Sequence, residues 1–149
     1  YAASRALTKA YAPLLAEAGL TYPQYLTMLA LWSADEPQTV GRLGERLRLD
    51  SGTLTPLLKR LEGLGLLTRE RDPADERRVR VALTDAGDAL QDTLTDVPSN
   101  VIELLGIDLG QATALRTLLD QVIDHLDDAA ATTPAPTGAT RARPAAGPA

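Results

Sequence analysis

Ala2, Leu7, Ala10, Leu14 and Leu15 fall on one face of a helix predicted over residues 1–18. Pro13 lies inside this pattern and predicts a kink or a boundary near residue 12. Gly19 closes the element, and Thr21-Tyr22-Pro23 opens a second helix with proline in its first turn, where a missing N–H costs nothing. That helix carries Tyr25, Leu26, Leu29, Ala30 and Trp32 and ends before SADEPQ, a loop by composition. Val40, Leu43 and Leu47 define a short third helix over 40–48. Leu54, Leu57, Leu58, Leu61 and Leu64 form the stripe of a fourth, over about 51–64, closed by Gly63 and Gly65.

The period then changes from 3.6 to 2. LLTRER and RRVRVAL read as two strands joined by the charged turn DPADE, which predicts a hairpin over 67–83. Thr84 is placed to cap a following helix, with Asp85 and Asp88 suiting its N-terminal dipole. Leu90, Leu94 and Val97 continue that helix until Pro98 kinks or breaks it ahead of VIELLG. A last amphipathic helix over 109–128 carries Leu115, Leu118, Leu119, Val122, Ile123 and Leu126. Residues 129–149 hold only Ala, Pro, Thr, Gly and two Arg, a composition that predicts a disordered tail.

Helix, short helix, tight turn, helix and two-stranded hairpin, in that order, describe a winged helix-turn-helix. The predicted class is mainly α with a small β-hairpin: one domain over 1–128, a DNA-binding part over about 38–84, and flanking helices over about 1–18 and 84–128. The flanking helices have more apolar surface than the intervening chain can cover. That surplus predicts a homodimer reading two half-sites about one helical turn apart.

Composition removes other classes. The chain has no cysteine and one histidine, which leaves no disulfide, no thiolate metal site and no zinc set. Nothing pairs a nucleophile with a base, so no enzyme, metal or cofactor is expected. No apolar run is long enough to span a bilayer and no secretory signal is in view, so the expected setting is the cytoplasm. The net charge of −5 argues against nucleic acid only until it is divided by region. Residues 41–80 hold ten Lys and Arg against seven acids, whereas 81–128 hold one Arg against ten. A local positive field of that kind attracts phosphates despite a negative total.

The candidate DNA contacts follow from this division. Ser51, Gly52, Thr53 and Thr55 offer small polar groups and close backbone approach at the start of the fourth helix. Pro56 is compatible if that helix begins near Thr53. Lys59 and Arg60, one turn on, suit phosphates; Arg77, Arg78 and Arg80 lie near the hairpin tip, where an arginine enters a narrow minor groove.

The stretches LTYPQYLTMLALW, LDSGTLTPLLKRLEGLGLLTRERDPADERRV and VALTDAG resemble the multiple antibiotic resistance regulator family of bacterial repressors, and within it the organic hydroperoxide resistance regulators. The resemblance covers roughly residues 1–128. It implies a homodimeric repressor that occupies an inverted-repeat operator in double-stranded DNA and leaves it when an organic hydroperoxide arrives. It also implies that Asp75 braces Arg77 in the minor groove. The implied sensor is a reactive cysteine whose thiolate is hydrogen-bonded by tyrosines, partly from the other subunit, that match Tyr1, Tyr11 and Tyr22. The family pattern puts that cysteine about one helical turn before Tyr1, upstream of this chain, which opens at Tyr1 rather than Met and so reads as lacking some N-terminal residues. Either the cysteine precedes Tyr1, or the protein has lost it and senses something else. Two further readings stay open: a repressor released by a small phenolic or lipophilic ligand, and a winged-helix protein–protein adaptor.

Overall fold

The computed structural model describes residues 1–132; the predicted tail from residue 133 onward lies outside the described residues. Two units are distinct, Tyr1–Gly106 and the segment from Ile107, where the sequence reading has one domain over 1–128. In the first unit the elements are α1 (Ala2–Leu15), α2 (Tyr22–Trp32), β1 (Gln38–Thr39), α3 (Val40–Leu47), α4 (Ser51–Gly63), β2 (Leu67–Asp72), β3 (Asp75–Leu83), α5 (Asp85–Thr93) and α6 (Val97–Leu105). The second unit contains α7 (Leu109–Thr132).

Local chemistry explains most boundaries. The α2 start is a capping box: the Thr21 N–H donates to Gln24 Oε1 at 2.8 Å, and Pro23 lies in the first turn. Thr84 Oγ1 accepts from the Gly87 N–H at 3.0 Å and caps α5 as expected. Pro98 falls in the first turn of α6, so the predicted break is a clean end of α5 at Thr93 and a new start at Val97. Pro13 does not end α1 at residue 12. The helix runs to Leu15, and proline is accommodated in its final turn.

The sheet has a strand that the periodicity did not reveal. Its order is β1-β3-β2, all antiparallel, with Leu67 opposite Leu83 at the root of the hairpin and a bulge at Arg71/Asp72 near its tip. Gln38 and Thr39 pair with Val81 and Arg80, covering the other edge of β3. Two residues are too few to show an alternation, so SADEPQ reads as loop.

The core is aliphatic around one aromatic. Leu15, Met28, Leu43, Leu54, Leu58, Leu61, Leu67 and Val81 are essentially inaccessible, with Tyr25 among them. These side chains come from α1, α2, α3, α4 and the sheet, so one core fixes the helix-turn-helix and the wing together. The turn from α3 to α4 is tight: Arg48 takes a left-handed conformation (φ 52°), and the Leu49 N–H donates to the Gly44 carbonyl at 2.9 Å.

The flanking helices differ from each other. α1 packs on α2 and α6 and buries Leu15, with Leu7, Tyr11 and Leu14 half-buried. α7 buries nothing: Leu115, Leu118, Leu119, Val122 and Leu126 are each at least half exposed. It also continues to Thr132, so the first four residues of the expected tail are helical.

Candidate nucleic-acid interface

The fourth helix begins earlier than its proline suggests. Asp50 is the N-cap, its Oδ1 accepting from the Thr53 N–H at 3.0 Å and its Oδ2 from the Thr53 hydroxyl at 2.8 Å. Those hydrogen bonds hold the Asp50 carboxyl below its ordinary range. The helix therefore starts at Ser51, and Pro56 lies inside it, with no N–H to offer the Gly52 carbonyl one turn back. Gly52 also has a structural task, since a Cβ there would come 2.9 Å from Asp50 Oδ1. Asp before Ser-Gly-Thr is a capping signal in its own right, and the start at Ser51 agrees with the helix expected over about 51–64; the proviso that Pro56 needs a start near Thr53 is not met.

α4 then divides cleanly into two faces. Leu54, Leu58 and Leu61 point into the core, while Ser51, Gly52, Thr53, Pro56, Lys59 and Arg60 are exposed and Thr55 is half-buried. Small polar groups lead and cations follow, the order that a helix entering a major groove requires.

A cleft of about 860 Å³ runs between this helix and the wing, and brings Thr55 and Leu58 of α4 to the same space as Arg77 and Arg78. Arg42, Arg69 and Arg80 line it as well, against Glu36, Glu45 and Asp72. Ser51, Gly52, Thr53, Pro56, Lys59 and Arg60 lie on α4 outside the cleft. Of the candidate contact residues on α4, Thr55 alone lines this space with the wing arginines.

Two acidic residues organise it. Asp75 Oδ2 pairs with Arg78 Nε at 3.3 Å, and its Oδ1 accepts from the Arg77 backbone N–H at 3.1 Å. The implied brace of Asp75 on the Arg77 side chain is replaced by one on the Arg78 guanidinium and the Arg77 main chain. This leaves the exposed Arg77 side chain projecting from a fixed backbone. Glu62, at the end of α4, receives Arg69 Nε at 3.0 Å and Nη2 at 2.6 Å on one oxygen, linking the helix to β2. The Arg69 hydrogen bonds lower the Glu62 carboxyl from its ordinary range. Periodicity carries no sign of this link, because a seven-residue separation across a turn has no pattern of its own.

Behind the interface lies a tyrosine cluster. Tyr11 and Tyr22 have ring centroids 4.4 Å apart, and Tyr25 stands 5.9 Å from Tyr11. Tyr1 does not join it: it is 94% exposed, its hydroxyl accepts from Arg5 Nη1 at 3.3 Å, and Arg5 lies over its ring. The third member within the chain is Tyr25, which looks like an ordinary core position on α2. Burial, with Tyr11 and Tyr22 as further causes, pushes the Tyr25 phenol up to about 12, and burial also raises Tyr11 and Tyr22. Because folding favours the neutral phenol, this stabilisation is complete below the ordinary value of 10.0 and is lost as pH rises toward about 12. Alkaline unfolding should therefore set in across that interval, together with delayed phenolate absorbance. A single phenolate step at the ordinary value, with no loss of helix, would show the cluster open to water.

The recognition helix, basic cleft and arginine-tipped hairpin define a winged helix-turn-helix transcriptional regulator. The family described as "Transcriptional regulator SarA/Rot" matches residues 9–94, and this chain belongs to it. Among its relatives, the organic hydroperoxide resistance transcriptional regulator of Bacillus subtilis is 50% identical over 124 residues, covering 80% of this chain and 84% of the relative. The regulator TtmR of Methylorubrum extorquens is 46% identical, over 91% of this chain and 69% of its own. Among solved structures, reduced AbfR bound to DNA superposes with a TM-score of 0.71 at 36% identity, covering 85% of this chain and 87% of the other. AbfR of Staphylococcus epidermidis gives 0.72 at 37%, over 86% and 88%. The family and these relatives are transcriptional regulators rather than enzymes. Among the described residues no helix is long and apolar enough to cross a membrane.

Proposed function

We propose that this protein is a homodimeric repressor that occupies an inverted-repeat operator and is released by organic hydroperoxides. The observation that carries the DNA half is the exposed polar and basic face of α4, together with a wing whose exposed Arg77 and Arg78 line one cleft with Thr55 of that helix. In this reading Ser51, Gly52, Thr53 and Thr55 face base edges, Lys59 and Arg60 meet phosphates, and Arg77 enters the minor groove while Asp75 and Arg78 hold its backbone. Pro56 keeps the exposed face of α4 free of a side chain that competes for hydrogen bonds.

The dimer rests on α7. A helix of 24 residues that keeps six large aliphatic side chains on its surface needs a partner, and a second copy supplies the matching stripe. The sensing half rests on the tyrosine cluster and on the name of the B. subtilis relative. Phenols held neutral by burial remain O–H donors, the state that stabilises a nearby thiolate and increases its reactive fraction. The 149 residues themselves contain no cysteine.

The test is a gel shift of the genetically complete protein on its own upstream DNA, with and without stoichiometric organic hydroperoxide. Loss of the shift, restored by a thiol reductant, is the expected result. A complex that ignores peroxide removes the sensor and leaves a repressor gated by a small phenolic or lipophilic ligand, the reading that an absent cysteine favours. No complex under any condition would return the fold to a protein–protein adaptor.

A further inference from the structure

The root of the wing is tied to the tyrosine-bearing helix by one side chain. Trp32, the only tryptophan of the chain, ends α2, and its Nε1–H donates to the Gly87 carbonyl at 2.9 Å, across 55 residues of sequence. Gly87 in turn is pressed onto the hairpin: a Cβ on it would meet the Leu66 carbonyl oxygen at 1.9 Å. The same few atoms hold both ends of the wing together. The Thr84 N–H donates to the Leu66 carbonyl at 3.1 Å, and the Thr84 hydroxyl to the Gly65 carbonyl at 2.6 Å. Leu66 immediately precedes β2 and Thr84 immediately follows β3, so this knot sets the angle at which the hairpin leaves the core.

The other side of the indole faces the tyrosines. Tyr25 meets Trp32 edge-on at 6.4 Å and Tyr11 at 5.9 Å, and Tyr11 stacks on Tyr22. Arg46 adds a second anchor at this end of α2, donating to the Ala30 carbonyl at 3.0 Å and to the Ser33 hydroxyl, which joins it to α3. A continuous run of packed rings and hydrogen bonds therefore extends from the tyrosine cluster to the base of the wing.

We propose that Trp32 is a positioning residue for operator binding, whose indole N–H sets the angle of the wing and couples it to the packing of Tyr11, Tyr22 and Tyr25. The proposal rests on the wing reading DNA as described under the proposed function, and goes beyond it by naming the residue that holds the wing in its reading angle. An indole N–H removed from water needs an acceptor, and here that acceptor belongs to the first turn of the helix that clamps the wing. Rotation of the α2 end transmits to the hairpin because the packing at Gly87 has no slack.

A double-mutant cycle tests this with the complete protein on its upstream DNA. Trp32→Phe keeps a ring but removes the donor, and should weaken binding roughly fivefold, the worth of one hydrogen bond. In an Arg77→Ala background, where the wing no longer reads the groove, the same change should cost less than about twofold. Losses that simply multiply would show that Trp32 only contributes to the core and would overturn the proposal. The unmodified protein provides a second reading that survives if Trp32→Phe does not fold: its single-tryptophan emission should shift when operator DNA is added. An unchanged spectrum in a saturated complex would overturn the proposal. Absence of a wild-type complex would instead overturn the repressor reading, and this inference with it.

Discussion

Gly87→Ala should be among the most damaging single-methyl additions in this protein. The new Cβ would fall 1.9 Å from the Leu66 carbonyl oxygen and 2.9 Å from its carbonyl carbon, both main-chain atoms that no rotamer change can move. Relief requires α5 to lift from the wing root. That movement breaks the Trp32–Gly87 hydrogen bond and strains the Thr84 hydrogen bonds to Gly65 and Leu66. Overpacking against fixed backbone, together with the broken bonds, should cost about 3 kcal/mol or more. For a domain of this size that lowers Tm by roughly 10 °C. Thermal unfolding followed by circular dichroism measures it, and a Tm within about 2 °C of wild type would show that α5 is not seated as described.

Arg77→Ala carries the second large effect, on DNA rather than on stability. The Arg77 side chain is exposed and its backbone is held by Asp75, so folding should be unchanged. An arginine placed in a groove is worth about 1–3 kcal/mol per half-site, so a dimer loses roughly a hundredfold or more in operator affinity. The dependence of log K on log salt should flatten by about one for each phosphate that this guanidinium neutralises. Arg116→Ala on α7 is the matched control, removing the same charge outside the winged unit. Anisotropy titrations at two salt concentrations distinguish them. Equal behaviour of the two variants would remove the wing from the interface. Lys59→Ala is expected to weaken operator and unrelated DNA alike, because binding to phosphates carries no sequence information.

Much of the architecture was legible because helices and hairpins leave periodic traces. Leu54, Leu58 and Leu61 share one face of any helix that contains them, and that face had to be the core side; Lys59 and Arg60 are then outward by geometry alone. Thr21, Pro23 and Thr84 marked their helix starts through chemistry confined to four residues. Signals compete, however, when they overlap. The leucine stripe placed the start of α4 near residue 51 and Pro56 placed it near Thr53, and the two hydrogen bonds from Thr53 to Asp50 decided in favour of Ser51.

What escaped the sequence has a common physical character. The Arg78–Asp75 pair, the Glu62–Arg69 link, the β1 strand and the packing of Tyr25 with Tyr11 and Tyr22 all depend on which side chains meet, not on which face each occupies. At the wing tip, two neighbouring arginines meet one carboxylate, which pairs with the Arg78 guanidinium and takes only the main-chain N–H of Arg77. At the wing root, the 55-residue step from Trp32 to Gly87 has no local correlate at all. By itself the sequence determined the order of elements, their inward faces and the concentration of arginine on the helix-turn-helix and wing, because each follows from nearest-neighbour geometry and composition. Only the tertiary structure decided which arginine is braced, which tyrosines cluster and what holds the wing, because those outcomes follow from packing between segments whose separation in sequence says nothing about their distance in space.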